Sequence, residues 1–309
     1  MTIVLVGPTA VGKSRLAVAL ARQLAATGRL AEVVSADSML VYRGMDIGTA
    51  KPTAAERGEV RHHLIDIMTV RETATVAEFQ RLARAAIADC RSRGTIPILV
   101  GGSALYIRAI VDEFEFPGTD PALRSRLEAD LAAVGPDRLH ARLGEIDPGA
   151  AAQILPQNGR RIVRALEVVE LTGRSFKTAL PPYRYAVPDV VQIGLDIDRP
   201  RLHERIAARV DAMWAAGLVA EVRRLAGDGL REGLTASRAL GYRQVLAFLS
   251  GEITEQEAYA ETIAATRRFA RRQDSWFRRD PRIHWLDHDR PDLVHRASEL
   301  LSGAHRVPD

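Results

Sequence analysis

Residues Gly7-Pro8-Thr9-Ala10-Val11-Gly12-Lys13-Ser14 satisfy GxxxxGK[ST] in full, and no other feature restricts the fold of this chain so strongly. The loop follows a β-branched run, residues 2–6, and precedes Leu16, Leu20 and Leu24 at helical spacing, so the order is strand, loop, helix. In that setting the glycines let successive backbone N–H groups face an anion, and the helix N-terminus adds positive potential. Lys13 would reach terminal phosphates and Ser14 would hold Mg²⁺. The pattern implies a di- or triphosphate without saying which.

Further apolar runs at 32–35, 63–67 and 96–100, with a helical stretch over 76–93, predict strands alternating with helices in a parallel sheet covered on both faces. The expected class is therefore α/β, a P-loop NTPase-like parallel sheet carrying a helical insertion. Residues 1–111 form the first part of the core. Residues 112–187 show helical periodicity without a buried strand and read as the insertion. Residues 188–309 return to the core with a strand at 190–197, helices near 199–226, 238–249 and 254–279, a last strand at 283–286 and a helix at 290–302. A ragged polar tail is expected after Ser302.

Composition narrows the class further. Of 43 Lys and Arg only Lys13, Lys51 and Lys177 are lysine, which leaves 40 arginines and a surface suited to bidentate phosphate contacts. The single cysteine, Cys90, excludes an intrachain disulfide framework and a cysteine-only zinc site, and points to a reducing compartment. No apolar run approaches the roughly 18 residues that span a bilayer. A cytoplasmic, soluble monomer with no membrane partner is expected. Cys90 shares a helical face with Val76, Phe79, Ala83 and Ile87 and reads as a small core residue. His62-His63 has no partner nearby at metal-ligand spacing and reads as structural.

Several other groups are candidates for chemistry. Asp37 stands where the second strand ends, the edge at which open α/β sheets bind ligands; it suits a Mg²⁺ ligand, a general base or a turn cap. Ser103 follows two glycines at the end of the 96–100 run and suits either a phosphate or metal-water contact or a helix N-cap. Arg238 opens a late helix and is either an arginine that covers the phosphate loop or a solvated one. Two basic clusters, Gln157-Asn158-Gly159-Arg160-Arg161 with Arg164, and Arg267, Arg268, Arg271, Arg272, Arg278 and Arg279 among Phe269, Trp276 and Phe277, fit a nucleic-acid backbone or a solvated face.

Taken together, GPTAVGKS, ADSMLVYRGMDIGTAKP (36–52), HHLIDI (62–67), PILVGGSALYIRA (97–109), RALEV (164–168), ALGYRQ (239–244) and ARRQDSWFR (270–278) closely resemble the tRNA dimethylallyltransferase family, in order and over nearly the whole chain. The chain differs from the family's common pattern at Ser103, often Thr, and at Val11, where a small residue is common. The resemblance implies a bacterial form that transfers a dimethylallyl group from dimethylallyl diphosphate to N6 of the adenosine 3′ of the anticodon. It implies that Asp37 accepts the N6 proton, that Ser103, Arg238, Lys13 and Mg²⁺ at Ser14 handle the diphosphate, and that Asp37, Ser38, Met39, Leu40, Ser103, Arg124, Gln157, Asn158, Gly159, Arg160 and Arg161 face tRNA, to which the arginine stripe adds Arg272. Two other classes compete. A P-loop small-molecule kinase predicts ATP turnover but leaves the GGS strand end unexplained, and a non-catalytic RNA-binding module gives no reason for Asp37 beside an intact GKS.

Overall fold

Along β1 (Thr2–Val6) every residue is buried, yet Ile3 and Leu5 pack into one apolar cluster while Val4 and Val6 pack into another. That alternation is the signature of a strand covered on both faces. The computed structural model describes residues 1–177 and 180–303. Among them, β1, β2 (Ala31–Ser35), β3 (His62–His63), β4 (Ile96–Val100), β5 (Val190–Asp196) and β6 (Ile283–Asp287) form one parallel sheet in the order β3-β2-β4-β1-β5-β6. The helix α1 (Lys13–Ala26) covers one face with Leu16, Leu20 and Leu24. The other face receives Phe79, Ala83 and Ile87 of α3 (Val76–Ser92) and Ile107 and Ile110 of α4 (Ala104–Val111); the one-turn helix α2 (Ala54–Arg57) lies between β2 and β3 in sequence.

The chain divides into two compact units, Met1–Asp112 with Tyr185–Asp309, and Glu113–Arg184. The second unit contains α5 (Pro121–Ile146), α6 (Pro148–Ala151) and α7 (Gly159–Thr172), packed through Leu127, Leu139, Leu143, Ile162 and Leu166. α5 is two helices joined at Gly135, whose φ of 79° breaks the helical path, and Pro136 restarts it. Within this unit the fully buried Glu167 carboxylate takes hydrogen bonds from Arg124 (2.5 Å) and Arg164 (2.6 Å). These two cations hold its carboxyl below the ordinary range against the opposing effect of burial.

The remaining helices are α8 (Arg199–Ala215), α9 (Leu218–Gly227), α10 (Tyr242–Leu249), α11 (Glu255–Phe277) and α12 (Leu293–Gly303), all in the first unit. Three departures from the sequence expectation have local causes. The 63–67 run pairs only at His62–His63, because Leu64 (φ 62°) and Asp66 (φ 57°) adopt left-handed backbone and leave the sheet. The 199–226 stretch splits at Gly217 (φ 94°). Arg238 does not open a helix: it ends the 3₁₀ turn Ala236–Arg238, and Gly241 (φ 84°) precedes the start of α10 at Tyr242. The tail expected after Ser302 falls mostly at 304–309, outside the described residues. Among the described residues no helix is long and apolar enough to cross a membrane.

Candidate active site

Three parallel strands bring their C-terminal ends together. β1 runs into Gly7, β2 into Ala36 and Asp37, and β4 into Gly101, Gly102 and Ser103. The turns are close enough that glycine is required. A Cβ on Gly7 would stand 2.9 Å from the Leu195 carbonyl, and one on Gly101 would stand 2.8 Å from the Ala36 Cβ. The loop between β1 and α1 coils through positive φ at Gly7, Ala10 and Gly12. Gly12 caps α1 without a side chain, and the first turn carries no acidic residue. The amides at that helix end therefore have no internal acceptor from a capping side chain and suit an anion.

Lys13 folds back on the loop it belongs to, donating from Nζ to the carbonyls of Gly7 (2.9 Å) and Pro8 (2.7 Å). Burial, opposed by the Asp37 carboxylate and aided by the nearby Arg209 cation, brings its pKa down to about 7. Ser14 is exposed at the start of α1. Asp37 is exposed as well, and its Oδ1 accepts the Met39 N–H at 2.9 Å, so the turn-cap role is realised while the second carboxylate oxygen stays outside that bond. The charge of Asp37 acts on Lys13, Arg209 and Tyr106 alike, which groups these four side chains. Ser38 hydrogen-bonds the Tyr106 hydroxyl from α4; Met39 is half-buried and Leu40 buried. Ser103 occupies the N-cap position of α4 but its hydroxyl makes no capping bond.

Sequence reasoning missed three residues, two that hold the loop and one, Arg209, that stands by Lys13. Arg205 Nε donates to the Ala10 carbonyl at 2.8 Å, and Arg209, one turn later on α8, donates to the Thr49 carbonyl at 3.0 Å. Gln273 of α11 accepts the Thr9 N–H at 2.9 Å and packs so close to Gly102 that a Cβ there would lie 2.4 Å from its Nε2. The i, i+4 spacing of the two arginines beside the buried Leu202, Ile206 and Val210 was the available signal. Arg238 is exposed, and among the described residues it has no hydrogen bond or ion pair with the phosphate loop; Arg205 and Arg209 are the arginines found there.

The segment after Asp37 is fixed by a buried carboxylate. Glu221 of α9 accepts N–H groups of Asp46 (3.1 Å), Ile47 (2.9 Å) and Gly48 (3.3 Å), and the Tyr242 hydroxyl at 2.6 Å. Gly48 must be glycine because a Cβ would sit 2.4 Å from the Tyr242 ring. Lys51 adds bonds to the Tyr42 carbonyl, Asp46 and Asp66. Glu221→Ala would leave three backbone donors and a buried phenol unpaired, and is expected to lower unfolding free energy by about 3–5 kcal/mol, read from denaturant midpoints. An unchanged midpoint would remove Glu221 from that role.

The basic clusters are more committed than their sequence suggests. Arg124, expected at tRNA, is bound to Glu167. Asn158 Oδ1 caps α7 by accepting the Arg161 N–H, and Gly159 is a packing position, since a Cβ would meet Leu131 at 2.8 Å. Gln157, Arg160 and Arg161 are exposed. On α11, Arg268 pairs with Glu261, and Arg271 and Arg272 are exposed, Arg272 above Phe269; just past its end, Arg278 pairs with Asp196 and Asp274 over the Trp285 ring. Phe277 faces the core, but Trp276 does not, being 38% exposed.

The IPP transferase family matches residues 40–280. The tRNA dimethylallyltransferase of Thermobifida fusca is 62% identical over 97% of this chain and 93% of its own length, and that of Salinispora tropica 64% over 97% and 92%. Among solved structures, the tRNA isopentenylpyrophosphate transferase of Bacillus halodurans aligns with a TM-score of 0.72 at 40% identity, over 98% of this chain and 96% of its own. A eukaryotic dimethylallyltransferase acting on tRNA aligns at 0.83 and 25% identity, over 100% and 81%. With a phosphate loop and three strand ends built in this way, and relatives this similar along almost its entire length, the chain belongs to the IPP transferase family.

Proposed function

We propose that the chain transfers a dimethylallyl group from dimethylallyl diphosphate to N6 of the adenosine 3′ of the anticodon in tRNA. The observation that carries the reading is the uncapped N-terminus of α1 beside Lys13, with the Asp37 carboxylate acting on Lys13 and Arg209. The allylic C–O bond breaks and its electron pair leaves with the diphosphate. N6 bonds to the freed carbon, and the N6 proton passes to Asp37. The loop amides, Lys13 and Arg209 stabilise the charge that grows on the departing oxygen, where fixed donors have most effect. Ser103, whose hydroxyl is not used in capping, is free to bond the diphosphate. Arg238 is exposed and holds no bond to the phosphate loop among the described residues, so its role in diphosphate handling rests on the family resemblance.

Mg²⁺ takes oxygen ligands and keeps several waters, so it needs few groups from the protein. The exposed Ser14 hydroxyl and the acid-free first turn of α1 fit that demand. Bound there, it would neutralise part of the diphosphate charge. Labelled dimethylallyl diphosphate mixed with the protein and bulk tRNA is expected to leave label in the tRNA. ATP turnover without label transfer would support a kinase instead.

Arg160 and Arg272 are proposed to meet tRNA phosphates, with Gln157, Asn158, Gly159 and Arg161 around the first and Ser38, Met39 and Leu40 nearer the reacting base. Arg124 would serve by shaping the insertion through Glu167. Affinity for tRNA should then fall with salt, with a log–log slope of roughly −0.7 to −0.9 per neutralised phosphate. Arg160→Ala and Arg272→Ala should each make the slope shallower by about one unit. An unchanged slope in either variant would return that arginine to the solvated surface.

A further inference from the structure

Glu32, His63 and Cys90 are far apart in sequence and were not connected by any spacing rule, yet β2, β3 and α3 bring them together. The expectation that His63 lacks metal-ligating neighbours is thereby corrected. His63 Nε2 lies 2.6 Å from Glu32 Oε2, and Cys90 Sγ lies 3.5 Å from that oxygen and 3.7 Å from His63 Nε2. Glu32 stands in the first half of β2, away from the strand end that runs into Asp37, so the cluster is separate from the candidate active site.

We propose that Glu32, His63 and Cys90 form a structural site for a borderline-soft divalent cation of the Zn²⁺ type. Zinc bonds to sulfur near 2.3 Å and to nitrogen or oxygen near 2.0–2.2 Å, which puts tetrahedral ligand atoms roughly 3.3–3.6 Å apart. The two edges that involve sulfur already match. Only the His63–Glu32 edge must open, by well under 1 Å, as the hydrogen bond there is exchanged for two metal bonds. The donor set selects the ion: one thiolate, one imidazole and one carboxylate suit zinc, whereas Mg²⁺ requires oxygen ligands. Cys90 is fully buried, while the His63 and Glu32 side chains keep 13% and 14% exposure, so water can take the fourth position.

Charge balances as well. Arg93 holds both Glu32 oxygens, Oε1 and Oε2, at 2.8 Å and Asp89 Oδ2 at 2.8 Å, with its Nη2 3.7 Å from Cys90 Sγ, so a metal would share Oε2 with Arg93 and take the place of the His63 contact there. With the thiol ionised, Glu32, Asp89 and Cys90 offset Arg93 and a divalent ion completely. Burial, with the Glu32 charge beside it, pushes the Cys90 thiol up to about 11, so binding must expel a proton: Cys–SH and M²⁺ give a Cys–S–M bond and H⁺. The consequence is mechanical. β3 is a two-residue edge strand, and a metal would tie it to β2 and α3.

Metal-stripped full-length protein titrated with Co²⁺ should develop tetrahedral d–d bands and a thiolate-to-cobalt charge-transfer band. One equivalent of Zn²⁺ should bleach both, and excess Mg²⁺ should leave them. Cys90→Ala should abolish the charge-transfer band, and His63→Asn should raise the Co²⁺ dissociation constant at least tenfold. Zn²⁺ should raise the melting temperature of the wild type only. A wild-type protein with no charge-transfer band overturns the proposal, as does a band that survives in Cys90→Ala or bleaches with Mg²⁺. The wild-type titration decides even if a variant fails to fold.

Discussion

Asp37→Asn is expected to fold normally and to lose roughly 10²–10⁴-fold in single-turnover prenyl transfer, the range typical of a positioned general base. Folding should survive because the carboxylate's structural duty is one bond from the Met39 N–H to Oδ1, and an asparagine carbonyl accepts that bond equally well. What the amide cannot do is take the N6 proton. Removing the negative charge has a second effect, since Asp37 is the group that opposes the depression of the Lys13 pKa. Diphosphate handling should therefore weaken at pH 8 and less so as pH falls, because lower pH restores the Lys13 charge in both proteins. The transfer defect itself should persist across that range. Turnover near the wild-type rate in a folded Asp37→Asn protein would leave Asp37 as a turn cap alone.

How much of this site the sequence discloses depends on whether its geometry is local. The phosphate loop is legible because one continuous segment carries strand, glycines, lysine and helix start, and local backbone rules determine the rest. Asp37 and Ser103 are legible as positions, since each follows a buried run at the edge where parallel sheets bind ligands, but their hydrogen bonds are not. Arg205 and Gln273 lie 190 or more residues from the loop they hold, as the 195-residue separation of Arg205 from Ala10 illustrates, and Arg209 is as distant from Lys13. In a chain with 40 arginines, periodicity cannot say which of them turn inward. For Arg238 the residues alone leave a loop-covering and a solvated role open, whereas the structure puts Arg209, on α8, beside Lys13. The same limit conceals the grouping of Glu32, His63 and Cys90, and the bond that ties Arg124 to the buried Glu167. Fold class followed from alternation of strands and helices, while the break at 64–66 needed left-handed backbone at Leu64 and Asp66, which no periodicity reveals.

Lys13→Ala is expected to lower kcat/KM for dimethylallyl diphosphate by roughly 10²–10³-fold, the scale of losing one fixed donor to a developing oxyanion. A linked proton should make the role visible without turnover. In the free protein Lys13 has a pKa of about 7, so at pH 8 most molecules carry it neutral. A diphosphate bound against the α1 amides brings negative charge to Nζ and draws it from the Gly7 and Pro8 carbonyls, which raises that pKa. The sign follows directly: binding at pH 8 must take up close to one proton, and affinity should decline as pH rises above about 7. At pH 6 Lys13 is already charged and the uptake due to it should vanish. Calorimetry of a non-reactive dimethylallyl diphosphate analogue in buffers of different ionisation enthalpy reads the uptake. The Lys13→Ala protein should bind the analogue with no such uptake at pH 8. Equal proton uptake in wild type and variant would assign the proton to another group and leave Lys13 a structural clasp on its own loop.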